Sequence, residues 1–127
     1  MSNASFKQIR LELGRSTHFP AGGSSHGYEF VAPLTPDGHL AADAWRAAKD
    51  KCVVRRFWGS EPEAHGYLRH VGRGWRFDYR KETRDDDEPL FNLDRHALIP
   101  DNYVSVTETD GIQRAFRVVL VTPAIAA

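Results

Sequence analysis

Six histidines, one cysteine and a run of arginines carry most of the reactive chemistry in this 127-residue chain. The densest grouping is HFPAGGSSHGYEF, residues 18–30, where His18 and His26 bracket a Gly/Ser-rich stretch and Tyr28 and Glu29 follow. Imidazole and carboxylate suit Zn²⁺, Fe²⁺ or Mn²⁺, and three such ligands with an open position would make a catalytic centre. His18, His26 and Glu29 are the candidate ligands of a metal-dependent enzyme, with His65, His70 and His96 able to converge from elsewhere. Their spacing forms no H-E-x-x-H or cupin-like pattern, so the competing reading is a loop with surface histidines. No metal and no cofactor is assigned from them. As a small-ligand site, His18, His26, Tyr28 and Glu29 would supply a few convergent polar groups beside an aromatic lining.

Nucleophilic catalysis has weaker support. Ser24, Ser25 and Cys52 are the available nucleophiles, but neither serine sits in a G-x-S-x-G elbow. AGGSSHG lacks the lysine of a phosphate loop, and a strand rather than a helix follows it. Cys52 opens an apolar stretch, where a buried, inert thiol is the usual outcome. A single cysteine also excludes an internal disulfide and every cysteine-cluster zinc site.

The net charge is zero but unevenly spread. Residues 46–84 hold eleven Lys or Arg against five Asp or Glu, whereas residues 85–127 hold three against eight. In the basic part, Arg55, Arg56, Arg69, Arg76 and Arg80 are interleaved with Phe57, Trp58, Tyr67, Trp75 and Tyr79. Small β-barrels bind single-stranded nucleic acid on such surfaces, by stacking bases on aromatics beside a basic groove. The isoelectric point near 7.0 falls short of a dedicated binder. The favoured reading of the split is a solvated surface whose halves attract each other in the fold.

Positioning these residues requires strands. In FKQIRLELG, Ile9, Leu11 and Leu13 alternate with Gln8, Arg10 and Glu12, a half-buried strand. Residues 28–34 and 52–59 read as further strands. Residues 40–51 carry the helical pattern, with its body at 41–50 and Leu40, Ala44, Ala47, Ala48 and Trp45 on the apolar side. Residues 66–80 predict a hairpin around Gly72-Arg73-Gly74. An even loop sets His70 opposite Trp75 and Leu68 opposite Phe77, and adds Tyr79 to that apolar face. Tyr67, Arg69, Arg76, Asp78 and Arg80 then share the other face, with Arg69 against Arg76 and Asp78 placed to relieve the repulsion. Residues 81–89 read as a charged exposed loop. Residues 90–102 read as an irregular connection anchored by Phe91, Leu93, Leu98 and Ile99. Asp110-Gly111 predicts a two-residue type I′ hairpin turn, and the doubly apolar run Val118–Val121 a central or barrel-closing strand.

These elements add up to one mainly β domain over residues 1–127, with residues 1–4 expected to be disordered. The expected architecture is a small antiparallel barrel or strongly curved sheet of about seven strands with one short helix. The expected function is a binding module for a protein partner or small ligand, since no catalytic motif is complete. Nucleic-acid or anion binding and a metal-dependent enzyme are the alternatives. No apolar run suits a membrane or an export signal, so a cytoplasmic location is expected. Open strand edges would permit a homodimer by edge pairing.

Overall fold

Period-two alternation of apolar residues shapes this chain almost throughout, and a sheet built on it has one face to bury. The computed structural model describes residues 4–14, 23–71, 74–79, 88–91, 97–108 and 111–124. Its strands are β1 (Ser5–Leu13), β2 (Gly23–Leu34), β3 (Val53–Trp58), β4 (Glu61–Val71), β5 (Gly74–Tyr79), β6 (Glu88–Phe91), β7 (Tyr103–Thr107) and β8 (Gln113–Pro123). Each pairs antiparallel with its neighbours, and β8 pairs back onto β1, closing an eight-stranded up-and-down barrel. Helix α1 (Ala42–Ala47) and a 3₁₀ turn (Lys49–Lys51) lie in the β2–β3 connection.

The expected antiparallel barrel with one short helix is therefore present, with one strand more than anticipated. The extra strand is β6, in the segment read as loop and irregular connection. It pairs three residues with β5 and two with β7. Four residues are too few for a strand pattern to stand out from their charged surroundings. Of the anchors expected beyond it, Leu98 is buried, Ile99 is 45 % exposed, and Leu93 lies outside the described residues.

The hairpin β4–β5 follows the register read from the sequence. Leu68 faces Phe77, His70 faces Trp75 and Arg69 faces Arg76. Trp75, Phe77 and Tyr79 are buried, and Arg69 donates to Asp78 at 2.7 Å on the outside. β4 itself begins at Glu61, five residues earlier than its apolar alternation indicates. Closure through β8 agrees with the apolar run near the C-terminal end. A bulge between Arg10 and Leu11 on the β1–β8 ladder shifts the alternation, so Val118 is buried and Leu120 is 47 % exposed.

Two local expectations need correction. Helix α1 spans six residues, and of these only Trp45 is buried, while Ala47 is exposed. Ala41 at the N-cap offers no capping side chain, so the helix depends on tertiary packing. The β7–β8 turn is not a two-residue type I′ turn. The Glu108 N–H donates to the Ile112 carbonyl and the Gly111 N–H to the Glu108 carbonyl, which encloses three residues. Gly111 takes φ +82°, the left-handed position that three-residue hairpin loops reserve for glycine.

The barrel interior is aromatic. Tyr28 and Phe30 from β2 lie 4.9 and 5.1 Å, between ring centres, from Phe77 of β5, and Tyr28 lies 5.2 Å from Phe116 of β8. Strand direction assigns the connections to ends. The β2–β3 helix closes one end, and the β3–β4 and β7–β8 turns lie at the other. At the helix end, Trp45 meets His70 and Trp75 edge-on at 6.0 and 5.7 Å, and its indole N–H donates to the buried Leu68 carbonyl at 2.9 Å. Among the described residues no helix is long and apolar enough to cross a membrane.

Candidate functional site

The polar end of the barrel, opposite the helix, is built from strand termini. Alternation carries Val104 and Val106 inward along β7, and Glu108 continues that face just past the strand. Arg114 precedes Phe116 and Val118 on the inward face of β8, and Arg56 follows Val54 on that of β3. Among the described residues, Glu108, Arg56 and Arg114 thus meet at one mouth. Glu108 is 3 % exposed, so it must be paired to stay charged.

Its pairing is complete. The Tyr28 hydroxyl donates to Glu108 Oε2 at 2.7 Å. Arg56 donates to the same oxygen from Nε at 3.2 Å and Nη2 at 3.0 Å. Arg114 Nη1 donates to Oε1 at 2.8 Å. Both guanidiniums lie over the Trp58 ring, Arg56 at 4.4 Å and Arg114 at 5.7 Å. Burial works against the charge on Arg56, but Tyr28 and Glu108 outweigh it and hold the pKa above the ordinary arginine value. Glu61, largely exposed, stands 3.9 Å from Arg56 Nη1 on the solvent side. His26 meets Trp58 edge-on at 4.6 Å, and Ser25 Oγ lies 3.2 Å from His26 Nδ1.

Of the residues proposed from the Gly/Ser-rich stretch, His26 and Tyr28 belong to this end. Gly23 already lies in β2, so half of that stretch is strand, not loop. Glu29 points the other way. Tyr28 and Phe30 are buried in the core, and Glu29 on the outer surface pairs with Arg10 at 3.5 Å and with Arg55. Arg55 pairs in turn with Glu63. His26 and Glu29 therefore occupy opposite faces of β2 and cannot share one metal ion. His18 lies outside the described residues. Among the described residues no three metal-ligating side chains converge. Cys52 is fully buried beside the helix, and burial first, then the Asp50 charge, pushes its thiol up to about 11.

The candidate anion surface is divided. Arg56 is inside the barrel, while Arg55, Tyr67, Arg69 and Arg76 are outside and Arg80 lies outside the described residues. Arg56–Glu108 joins the basic and acidic parts of the sequence, inside the barrel rather than on the solvated surface expected for them. On the outer face Phe57 is covered by Arg10 at 4.3 Å and Arg55 at 5.1 Å, and lies against Gly27. A side chain at Gly27 would collide with the Leu11 carbonyl, so only glycine lets β1 approach there.

Glu108 and Arg114 were not singled out from the sequence. Both fall on the apolar face of their strands by parity, which is the signal that identifies them. Comparison with protein-family models, with curated proteins and with solved structures finds no match for this chain.

Proposed function

We propose that the barrel is a binding module that takes up a small anionic molecule at its polar end. The observation that supports this is the buried carboxylate of Glu108 holding two guanidiniums over Trp58 at the mouth opposite the helix. Guanidiniums held in place lose little conformational freedom when a ligand arrives, so affinity is not spent on ordering them. Mouths of β-barrels are common ligand sites, and the helix leaves the opposite end for other work. Binding would raise the melting temperature, because a ligand that prefers the folded state stabilises it in proportion to its occupancy. A thermal-shift screen of anionic, neutral and cationic small molecules should give shifts with anions that vanish in Arg114→Gln. A screen with no shift in any class, on protein that melts cooperatively, would count against the reading.

A second reading has one specific observation behind it. Arg69 and Arg76 face each other directly on the exposed side of β4–β5, and Asp78 pairs with Arg69. Like charges set directly opposite are destabilising. An anion such as single-stranded nucleic acid on that outer face would relieve them. Labelled oligonucleotides should then bind with affinity that falls steeply with salt and drops in Arg76→Ala. No binding at about 50 mM salt would remove this reading.

A further inference from the structure

We propose that the cavity between the 3₁₀ turn and β4 receives one unpaired nucleobase, a deepening that rests on the nucleic-acid reading of the β4–β5 face above. The β2–β3 connection ends in the 3₁₀ turn, which packs against β4. Lys49 and Asp50 of the turn line a cavity of about 430 Å³ there, a volume within the range of small-molecule sites. Trp45 and His70 line it from the helix end and Tyr67 from the outer face of the strand. Arg69 and Asp78 complete the wall beside Tyr67. Arg69 is thus both part of the cavity and one member of the like-charged pair with Arg76. A strand whose phosphates lie on that pair runs past a cavity lined by three rings.

The charges of the lining narrow the occupant. Lys49 and Arg69 stand among Asp50 and Asp78, so the wall carries both signs. A bare anion in the cavity would meet two carboxylates, and a bare cation would meet an ammonium and a guanidinium. Either like-charge meeting opposes binding. An uncharged flat ring with donors and acceptors around its edge avoids both and finds partners of both kinds. Nucleobases have that edge, and unstacked bases are held by aromatic side chains while polar groups bond their edges. A base paired inside a duplex presents neither its face nor its pairing edge, so the cavity selects single strands.

Fluorescence anisotropy on the intact chain at about 50 mM salt tests this with labelled octamers of equal phosphate number: mixed-sequence DNA, the same sequence as RNA, and an abasic strand. At least one base-bearing octamer should bind about fivefold or more tighter than the abasic strand, the smallest gain that one stacked base supplies. The tighter of the two identifies the kind of strand. Tryptophan emission should fall with that octamer and stay level with the abasic strand, since Trp45 lines the cavity. Tyr67→Leu, with its melting temperature compared with the wild type, should remove the advantage of the bases and leave the abasic affinity unchanged. Arg76→Ala should weaken every octamer alike, because it acts on phosphates. Equal binding of abasic and base-bearing octamers would overturn the base cavity and leave the arginine face standing. A folded Tyr67→Leu that keeps the full advantage would do the same. No binding by any octamer would overturn the cavity and the nucleic-acid reading together.

Discussion

The two ends of the barrel each hold a tryptophan, in opposite surroundings. At the helix end Trp45 packs edge-on against His70 and Trp75 and spends its one polar group on a backbone carbonyl. At the polar end Trp58 lies beneath two guanidiniums that are tied to a buried carboxylate. The first closure draws on removed apolar area, which depends on size and shape. The second depends on matched charges in a poorly solvated place, where attraction and desolvation are both large and nearly cancel. An end held by area stays closed when one ring replaces another. An end held by charge fails when one charge is lost, even if the shape is kept.

That contrast can be broken most directly at Glu108. Glu108→Gln keeps the outline of the side chain but leaves Arg56 and Arg114 without their buried counter-charge. A loss of about 3–5 kcal/mol is expected in urea unfolding. A loss under about 1 kcal/mol would mean that the polar end is held by packing after all.

Next in size are two matched ring substitutions. Tyr28→Phe removes the hydroxyl that Glu108 accepts and should cost about 1.5–3 kcal/mol, the range for hydrogen bonds to charged groups. Trp45→Phe keeps an aromatic at the helix end but strands the Leu68 carbonyl, for about 1–3 kcal/mol. Combining Tyr28→Phe with Glu108→Gln should cost clearly less than the sum, because both act on one network. Combining Trp45→Phe with Glu108→Gln should be additive within about 0.5 kcal/mol. Non-additivity in that second pair would show that the ends are not independent.

The exposed Arg69–Asp78 pair supplies the control outside the barrel. Arg69→Ala should cost only about 0.2–1 kcal/mol, because water screens the pair and both side chains lose freedom to form it. The last test is read in pH rather than in a substitution, at Cys52 near the helix. Its folded pKa is raised from 9.0 to about 11, so the neutral thiol is the form the fold prefers. The stability linked to it is complete below about pH 9 and is lost as the pH rises through 11. The melting temperature of the wild type should therefore fall toward that of Cys52→Ala across this alkaline window. A constant difference between the two from pH 8 to 11 would show that the thiol does not titrate with folding.

Much of the fold was legible in the chain because alternation is a local property. Ile9, Leu11 and Leu13 face inward as their spacing requires, and the β4–β5 register follows from keeping Leu68, His70, Trp75, Phe77 and Tyr79 on one side. The short strand β6 was not legible, because four residues next to an acidic run carry no pattern of their own. The Asp-Gly turn was recognised in place but not in length, since the same dipeptide serves two-residue and three-residue loops.

The site was legible only in part. RRFW, residues 55–58, puts one arginine and one aromatic on each face, so alternation alone cannot choose which pair goes inward. Closure of the barrel chose Arg56 and Trp58, because Val54 precedes them on the buried side of β3. For Glu29, the sequence determined that it points away from Tyr28 and Phe30. Only the tertiary structure decided that Arg10 and Arg55, from the strands on either side, would flank it. The sequence likewise determined a barrel-forming set of strands with apolar inner faces. The meeting of Glu108, Arg56, Arg114 and Tyr28 includes a hydrogen bond, Tyr28 to Glu108, between residues 80 positions apart. Such a meeting depends on strand order, register and closure, which no local pattern encodes, and it is stable only because all four arrive together.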